Sequence, residues 1–219
     1  MRLPDDVEII FMDDGSNPPI TYNTWTKNFN IYRIEEKRAW TQGLARNKGA
    51  AIAKGEFLLF TDIDHIITRE AIEAVRNFRF DKMVFRRKFG IFDRRGNILS
   101  DKAKLDVFGV SPKYKRRGYQ AGVHGNTYAI RRTVFFELGG YNPKYCENEF
   151  HVGGKYMSEE RNFNIRWQNR VERKESKPAA GGPDIYVYPI GRFHSLGDEN
   201  PGGLFHNLSR EQVPQPCKI

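Results

Sequence analysis

The sequence predicts one α/β domain in which helices alternate with strands that end in acidic residues. Its 219 residues are enough for one sizeable core. Residues 42–54 carry apolar side chains at helical spacing, and residues 56–61 are mostly apolar, as in a strand covered on both faces. Acidic pairs directly follow two predicted strands, residues 7–12 and 56–61. Ligands of open α/β sheets bind at the carboxyl ends of strands, so these ends are the first candidates for a site.

The first predicted strand, residues 7–12, ends at Asp13 and Asp14 before the turn sequence Gly-Ser-Asn-Pro-Pro. A carboxylate at this position can accept a hydrogen bond from a pyrimidine N–H or from a ribose hydroxyl. An Asx-turn that only ends the strand accounts for the same residues, and on spacing alone it is the favoured explanation. Residues 28–34 form the next predicted strand.

The predicted helix at residues 42–54 is followed by Gly55, which we expect to supply the left-handed conformation of a helix stop. Arg46 and Lys48 lie on this helix, near the sheet edge where we expect ligands. Arginine can pair with a diphosphate through two hydrogen bonds, which makes Arg46 a candidate binding residue. Lys48 fits a solvated helix charge better.

Asp62 and Asp64 fall where the strand at residues 56–61 leaves the sheet. Residues two positions apart on an extended chain point the same way, so both carboxylates can face one cation. Hard oxygen ligands suit Mg²⁺ or Mn²⁺, and such ions commonly bridge a protein carboxylate to a diphosphate. A D-x-D after a strand is often only a loop start or a helix cap, so the motif alone does not decide between the two.

The remaining elements follow from capping residues and hydrophobic spacing. We predict a helix at 69–78 capped by Thr68, a strand at 82–92, a hairpin turn at 94–97, a strand at 126–131, a short helix ending at 138 and capped by Thr133, a helix at 159–171 capped by Ser158, and a strand at 184–189. Phe163 and Trp167 are four residues apart and mark the buried face of the last helix.

Two further groups are candidates for chemistry. Glu159 and Glu160 stand in the first turn of the last helix, where the helix dipole favours acids and no catalytic role is required. His194 lies in a Gly-bounded loop, where a neutral imidazole could complete the coordination of a metal. A lone loop histidine is more often just solvated.

Net charge points to anionic partners. The chain carries +9 with a pI near 9.5, which favours nucleotide phosphates, nucleic acid or acidic glycans without choosing among them. Residues 100–120 interleave lysines and arginines with aromatic residues. A segment of this kind can grip a nucleic acid strand, and a loop that closes over a nucleotide diphosphate has the same composition.

Cellular location and redox state are predicted from what the sequence lacks. It contains no apolar stretch of membrane-spanning length, and its first residues, MRLPDDVEII, have no apolar signal region. We therefore expect a soluble, cytoplasmic protein without a membrane span, located in the host cytoplasm if the chain is viral. Cys146 and Cys217 are far apart, and two free thiols is the plainer interpretation.

Four segments in this order resemble glycosyltransferases of the GT-A fold, family-2 type. They are EIIFMDDGS, ARNKGAAIAKGEFLLFTDID, GNTYAIRRTVFFELGGYN and GGKYMSEERNFNIRW, and the last is similar to the galactosyltransferase-like branch. The resemblance implies a Rossmann-like, mixed, mostly parallel sheet flanked by helices in a single domain at residues 1–195. Residues 196–219 are then a C-terminal tail.

The resemblance also implies roles, position by position. Asp14 matches the acid that contacts the nucleotide base, and Arg46 the arginine near base and diphosphate. Asp62 matches the first acid of D-x-D, which often contacts the ribose and the metal. Asp64 matches the acid that binds the metal. Glu160 matches the general base of inverting members, and Glu159 matches the acid that precedes this base. His194 matches a histidine that lies late in the sequence and ligates the metal in some members.

Two positions depart from the family pattern. Glu160 stands where the family usually has Asp, and its extra methylene moves the carboxylate by about 1 Å or more, which matters in a catalytic site. The base and the inverting stereochemistry therefore stay open. The family's first strand and helix have no counterpart before residue 7, so we expect an N-terminally shortened fold. An uncovered strand edge invites pairing, which makes a homo-oligomer an expectation as well.

The first expectation for function is a metal-dependent glycosyltransferase that uses Mn²⁺ or Mg²⁺ and a nucleotide-diphosphate sugar, with a UDP-sugar as first choice. The acceptor is a glycan or a related hydroxyl compound, and a modified base of viral DNA is the alternative acceptor. A non-catalytic relative that binds nucleic acid or a partner is the rival from another class. A nucleotidyltransferase comes third, because it leaves the segment of Glu159 and Glu160 unexplained.

Overall fold

The computed structural model describes residues 4–21, 27–35, 42–93, 95–102, 105, 117–145, 150–152 and 155–188. His194, Cys146, Cys217, most of the basic segment 100–120 and the predicted tail lie outside these residues. The predicted roles and redox states at those positions therefore stay predictions. None of the helices in the described part of the chain combines the length and apolar character needed to cross a membrane.

The chain divides into two compact units. The first unit comprises Met1–Phe60, Phe80–Lys82 and Ala129–Ala179, and the second comprises Thr61–Arg79, Met83–Tyr128 and Ala180–Ile219. The predicted α/β class with a mixed sheet and flanking helices is confirmed. The domain boundary at residue 195 stays a prediction.

Helices and strands alternate along the first unit. Its elements are β1 Ile9–Asp13, β2 Phe29–Arg33, α1 Gln42–Ile52, β3 Phe57–Phe60, α3 Arg132–Glu137, a 3₁₀ turn Pro143–Tyr145, β9 Phe150–Val152, β10 Lys155–Met157 and α4 Glu159–Glu172. β1 and β2 are parallel and in register from Ile9 opposite Phe29 to Asp13 opposite Arg33. β3 is hydrogen-bonded to β8, Gln120–Arg131, which passes from the second unit into the first.

Aromatic side chains form the core of the first unit. The ring of Phe135 lies 5.0 Å from that of Phe60 and 5.6 Å from that of Phe163, and Tyr141 stacks on Phe163 at 5.0 Å. Phe163 and Trp167 are buried, which confirms the predicted inner face of α4. Ser158 caps this helix by accepting a hydrogen bond from the backbone N–H of Arg161.

Two predicted helix ends are wrong. Thr133 lies inside α3 and does not cap it, because the cap position is Arg131, two residues earlier, where no side chain makes a capping hydrogen bond. α1 ends at Ile52, and Gly55 is not among the glycines with a left-handed backbone. The chain after α1 is held by Glu8 instead, whose carboxylate accepts hydrogen bonds from the backbone N–H groups of Lys54 and Gly55.

The second unit is built on a mixed sheet. Its elements are β4 His65–Ile66, α2 Arg69–Arg76, β5 Lys82–Phe89, β6 Ile91–Phe92, β7 Ile98–Leu99, most of β8, β11 Ala180–Gly181 and β12 Ile185–Val187. The strand order is β8, β5, β12, β4, and β11 also pairs with β5. β12 is parallel to β5 and antiparallel to β4, with Val187 opposite His65. This pairing fixes the backbone position of His65.

Turn and cap chemistry in the second unit agree with the sequence. Thr68 accepts a hydrogen bond from the backbone N–H of Ala71 and caps α2. β6 and β7 form the predicted hairpin, whose turn is held by the carboxylate of Asp93 and by the left-handed Gly96. The predicted strand at 82–92 is instead divided into β5 and β6 at Gly90, where a Cβ would lie 2.8 Å from the Tyr186 ring.

Lys82, at the start of β5, is buried in the first unit. It is 3% exposed, and its Nζ lies 5.4 Å and 5.3 Å from the ring centroids of Phe163 and Trp167. Nζ also donates a hydrogen bond of 3.0 Å to Oδ1 of Asn164. Burial lowers the pKa of Lys82 to about 7, and the negative charge of Glu160 opposes this shift. A buried cation of this kind costs stability when it is protonated.

We expect the free energy of unfolding to rise with pH between about 7 and 10.5, the folded and the ordinary pKa of Lys82. In this window the unfolded chain holds a proton that the folded chain has released, so raising the pH favours folding. Lys82→Met should flatten this slope. It should also raise the free energy of unfolding at pH 7 by roughly 3 kcal/mol, since one pKa unit corresponds to about 1.4 kcal/mol and lost contacts offset part of the gain.

Urea unfolding from pH 6 to pH 10 measures both effects. Lys54→Met removes an exposed lysine from the same unit and is the control, with no expected change of slope. Equal slopes for the native protein and Lys82→Met would show that Lys82 keeps its proton in the folded state.

Candidate active site

The D-x-D motif lies in a turn. β3 ends at Phe60, and the backbone N–H of His65 donates to the carbonyl of Asp62 at 3.2 Å, which closes a turn over residues 62–65. Ile63 at the tip is 80% exposed. The predicted extended geometry at Asp62 and Asp64 is therefore wrong, because the chain bends before it reaches the second acid. The turn, and not strand alternation, sets the positions of the two carboxylates.

Three side chains of the second unit gather at this turn. Asp62, Asp64 and His65 each place one potential ligand atom within 4.8 Å of those of the other two. The side chains of Asp62 and Asp64 are 19% and 10% exposed. His124 on β8 places Nδ1 3.7 Å from Oδ2 of Asp62. Two carboxylates at this spacing fit a divalent cation with a preference for oxygen ligands.

His65 stands in a buried polar network. Its side chain is fully buried, and Nδ1 lies 2.8 Å from Oδ1 of Asp64. Nε2 lies 3.3 Å from Nη1 of Arg87 and 3.5 Å from Oγ1 of Thr127. Arg87 is 6% exposed and donates from Nε and Nη2 to the carbonyls of Gly122 and Ala121. Groups on β5 and β8 thus contact His65 and hold it next to the acidic turn.

Asp13 and Asp14, at the end of β1 in the first unit, have different environments. Asp13 is 2% exposed and accepts hydrogen bonds from the backbone N–H groups of Ser16 and Ile20 and from Nη1 of Arg33. Hydrogen bonding from Ser16, first its hydroxyl and then its backbone N–H, lowers the pKa of Asp13. Asp14 is exposed, and partial desolvation together with the charge of Asp13 raises its pKa. The Asx-turn anticipated here is formed by Asp13.

A pocket of about 360 Å³ opens beside Asp13. It is lined by Asp13, Pro19, Ile20, Thr21, Ile31 and Arg33. Asp14, the sequence-predicted binding residue, is not part of this lining. Arg33 and Asp13 face the pocket as a 2.9 Å ion pair.

Arg46 and Glu159 are buried together in the first unit. They are 8% and 2% exposed, and Nη1 of Arg46 lies 3.8 Å from Oε1 of Glu159. The Arg46 guanidinium also lies 5.7 Å from the Tyr141 ring centroid. Glu160, the next residue on α4, is only half-buried. The two glutamates therefore differ: one is the counter-ion of a buried arginine, and the other faces more open surroundings.

The loop at residues 138–141 is clamped from two sides. Gly139 and Gly140 have φ of 76° and 59°. The Asn47 carboxamide accepts from the Tyr141 N–H at 2.8 Å and donates to the Tyr141 carbonyl at 2.7 Å. Arg166 donates to the carbonyls of Leu138 and Gly140. A Cβ on Gly140 would lie 2.6 Å from Asn47 Oδ1, so only glycine fits.

Asn47→Ala should destabilise the protein by about 2 kcal/mol, because it removes two hydrogen bonds worth about 1 kcal/mol each. Asn47→Asp keeps the acceptor for the Tyr141 N–H but places a carboxylate against the Tyr141 carbonyl, so we expect it to be no better than alanine. Chemical denaturation of the three proteins measures the effect. An unchanged unfolding midpoint in Asn47→Ala would show that the clamp adds no stability.

Sequence patterns do not single out several residues that lie at the acidic turn or at the pocket beside Asp13. His65 follows the acidic motif directly, and that adjacency is the one signal that could have singled it out. Arg33, Arg87 and His124 carry no motif signal. Asp14, Arg46, Asp62, Asp64, Glu159 and Glu160 all lie among the described residues, and their predicted functional roles stay predictions.

Comparisons with known proteins found a matching family model and a similar solved structure. The family model described as "Glycosyl transferase family 2" matches residues 2–136. A crystal structure of GalNAc-T7 with UDP, GalNAc and Mn²⁺ is similar at 18% sequence identity and a TM-score of 0.41. That match covers 85% of this chain and 37% of the other, so the chain spans well under half the length of that structure's chain. No curated protein matches.

Proposed function

The chain belongs to glycosyl transferase family 2, and on this premise we propose that it transfers a sugar from a nucleotide-diphosphate sugar to a hydroxyl acceptor. The observation that carries the proposal is the pair of carboxylates at the turn after β3. Asp62 and Asp64 are close enough to share one divalent cation, and they lie within residues 2–136, which match the family model. UDP-sugars are the first donors to test.

The proposed cation is Mn²⁺ or Mg²⁺, held by Asp62 and Asp64, with His194 as a further predicted ligand. When bound, such an ion neutralises the negative charge that builds up on a departing diphosphate. The two carboxylates suit this purpose because they are oxygen donors in a partly buried site.

The remaining roles belong to first-unit residues and rest on their positions in the family motifs. Glu160 takes the proton from the acceptor hydroxyl as the new bond from oxygen to the anomeric carbon forms and the bond to the diphosphate breaks. The diphosphate leaves with the bonding electron pair. Arg46 and Asp14 are proposed to bind the nucleotide, and the buried contact of Arg46 with Glu159 supports a role in fixing the start of α4 as well.

A donor screen tests the reaction class. The protein is incubated with a panel of UDP-sugars and Mn²⁺, and released UDP is measured with and without candidate glycan acceptors. We expect UDP release with one donor, loss of release in EDTA, and recovery on adding Mn²⁺ or Mg²⁺. Failure to bind any nucleotide diphosphate in the presence of metal would contradict the proposal and favour a non-catalytic binding relative.

DNA is the second acceptor to test, because a net charge of +9 favours a polyanionic partner. Contacts to phosphates release counterions, so binding of duplex DNA should weaken steeply with salt if the protein uses its cations in this way. A shallow salt dependence would leave the glycan as the proposed acceptor.

A further inference from the structure

We infer that His65 is a positioning residue that holds the Asp64 carboxylate, and that it is not itself a ligand of the divalent cation. The inference rests on the proposed function, because it concerns the cation site of Asp62 and Asp64. By distance alone, His65 is a natural third ligand, since one of its ring nitrogens lies within 4.8 Å of a carboxylate oxygen of Asp62 and of Asp64. Its hydrogen-bond partners argue otherwise.

Arg87 determines which ring nitrogen of His65 carries the proton. A guanidinium group can donate hydrogen bonds but cannot accept them. Nη1 of Arg87 lies 3.3 Å from Nε2 of His65, so Nε2 presents its lone pair as the acceptor. Arg87 is fixed in this position because Nε and Nη2 donate to the carbonyls of Gly122 and Ala121. The hydroxyl of Thr127, 3.5 Å from Nε2, can donate to the same lone pair.

A neutral imidazole carries one N–H, so an accepting Nε2 places the proton on Nδ1. A protonated ring nitrogen has no lone pair to offer a metal ion. The 2.8 Å contact between Nδ1 and Oδ1 of Asp64 is then an attractive contact between an N–H and a carboxylate, although the N–H does not point straight at the oxygen. With a bare lone pair on Nδ1, the same contact would be repulsive.

The consequence is a three-residue chain from Arg87 through His65 to Asp64, in which each member orients the next. The contact of Nδ1 with Oδ1 lies outside hydrogen-bond geometry, so we infer that it acts through charge attraction, which favours one orientation of the Asp64 carboxylate before a cation arrives. Partners that orient a metal ligand in this way typically change metal affinity by about 10- to 100-fold when they are removed.

Nitrogen NMR of the ¹⁵N-labelled protein tests the assignment without any need for activity. Long-range ¹H–¹⁵N spectra report which nitrogen of each histidine is protonated, and His65→Asn identifies the signals of His65. We expect the proton on Nδ1 in the protein alone, and still on Nδ1 after addition of Mg²⁺ and UDP. A proton on Nε2, or loss of the Nδ1 proton when Mg²⁺ binds, would overturn the inference.

Mn²⁺ affinity, followed by electron paramagnetic resonance, gives an independent readout. His65→Ala should bind Mn²⁺ about 10- to 100-fold more weakly. His65→Asn should stay within about threefold of the native protein, because its carboxamide N–H can take the place of Nδ1–H. If His65→Asn is as weak as His65→Ala, the imidazole is a ligand and the inference fails. Circular dichroism checks folding, and the NMR measurement decides the matter if His65→Ala does not fold.

The proposed function and this inference fail in different ways. A native protein that transfers no sugar and binds no cation refutes the proposed function, whereas the position of the His65 proton still answers whether this residue orients Asp64. A native protein that transfers sugar but carries its proton on Nε2 refutes only the inference.

Discussion

Asp64→Asn should lower kcat/KM for sugar transfer by about a thousandfold or more, equivalent to roughly 4 kcal/mol of transition-state stabilisation. The substitution keeps the size of the side chain and removes the negative charge that would hold the cation. Asp64 is 8% exposed, so few water molecules are near enough to replace its carboxylate as a ligand of the cation. Transfer by the native and variant proteins is measured at saturating Mn²⁺ with the donor identified in the screen.

Asp184→Asn is the matched control for this loss. Asp184 also belongs to the second unit, but its carboxylate pairs with the partly exposed Lys88 at 2.5 Å. Surface ion pairs contribute little, so activity should stay within about twofold of the native value. Asp64→Asn with near-native activity and an unchanged metal requirement would remove Asp64 from the mechanism.

Glu160→Gln should reduce kcat by about 10²- to 10⁴-fold, because an amide cannot accept the acceptor's proton. Glu160 is half-buried, so an isosteric amide is easily accommodated there. The substitution should lower kcat and leave KM nearly unchanged, since binding of donor and acceptor does not require proton transfer. Steady-state kinetics of the native protein and the variant give the two parameters separately.

Glu159→Gln should have its larger effect on stability. It leaves Arg46 buried without the carboxylate that lies 3.8 Å away, and breaking a buried pair on one side costs about 3 kcal/mol or more. Glu172→Gln, at the exposed end of α4, is the control for both variants and should change neither property. If Glu159→Gln loses turnover and Glu160→Gln does not, the base assignment must move to Glu159.

The sequence predicts well those features that neighbouring residues decide. Thr68 and Ser158 cap their helices through hydrogen bonds to N–H groups three residues on, and the hairpin turn after β6 is fixed by Asp93. Hydrophobic spacing identifies Phe163 and Trp167 as the inner face of α4. These contacts are local, so one stretch of chain contains all the necessary information.

The sequence fails where contacts join distant residues. Asp13 pairs with Arg33 because parallel pairing of β1 and β2 places them opposite each other. His65 meets Arg87 because the short strand β4 and the longer β5 both pair with β12. A strand as short as β4 carries no periodic signal. At Gly55 the chain is held by the carboxylate of Glu8, a residue far away in the sequence, so the local pattern of a helix stop misleads.

Anomalous diffraction from crystals grown with Mn²⁺ and UDP locates the metal independently of activity. We expect a single strong manganese peak within bonding distance of carboxylate oxygens of Asp62 and Asp64, next to the bound UDP, with Nδ1 of His65 outside the coordination shell. A manganese peak elsewhere, or UDP bound with no metal at these two carboxylates, would contradict this expectation.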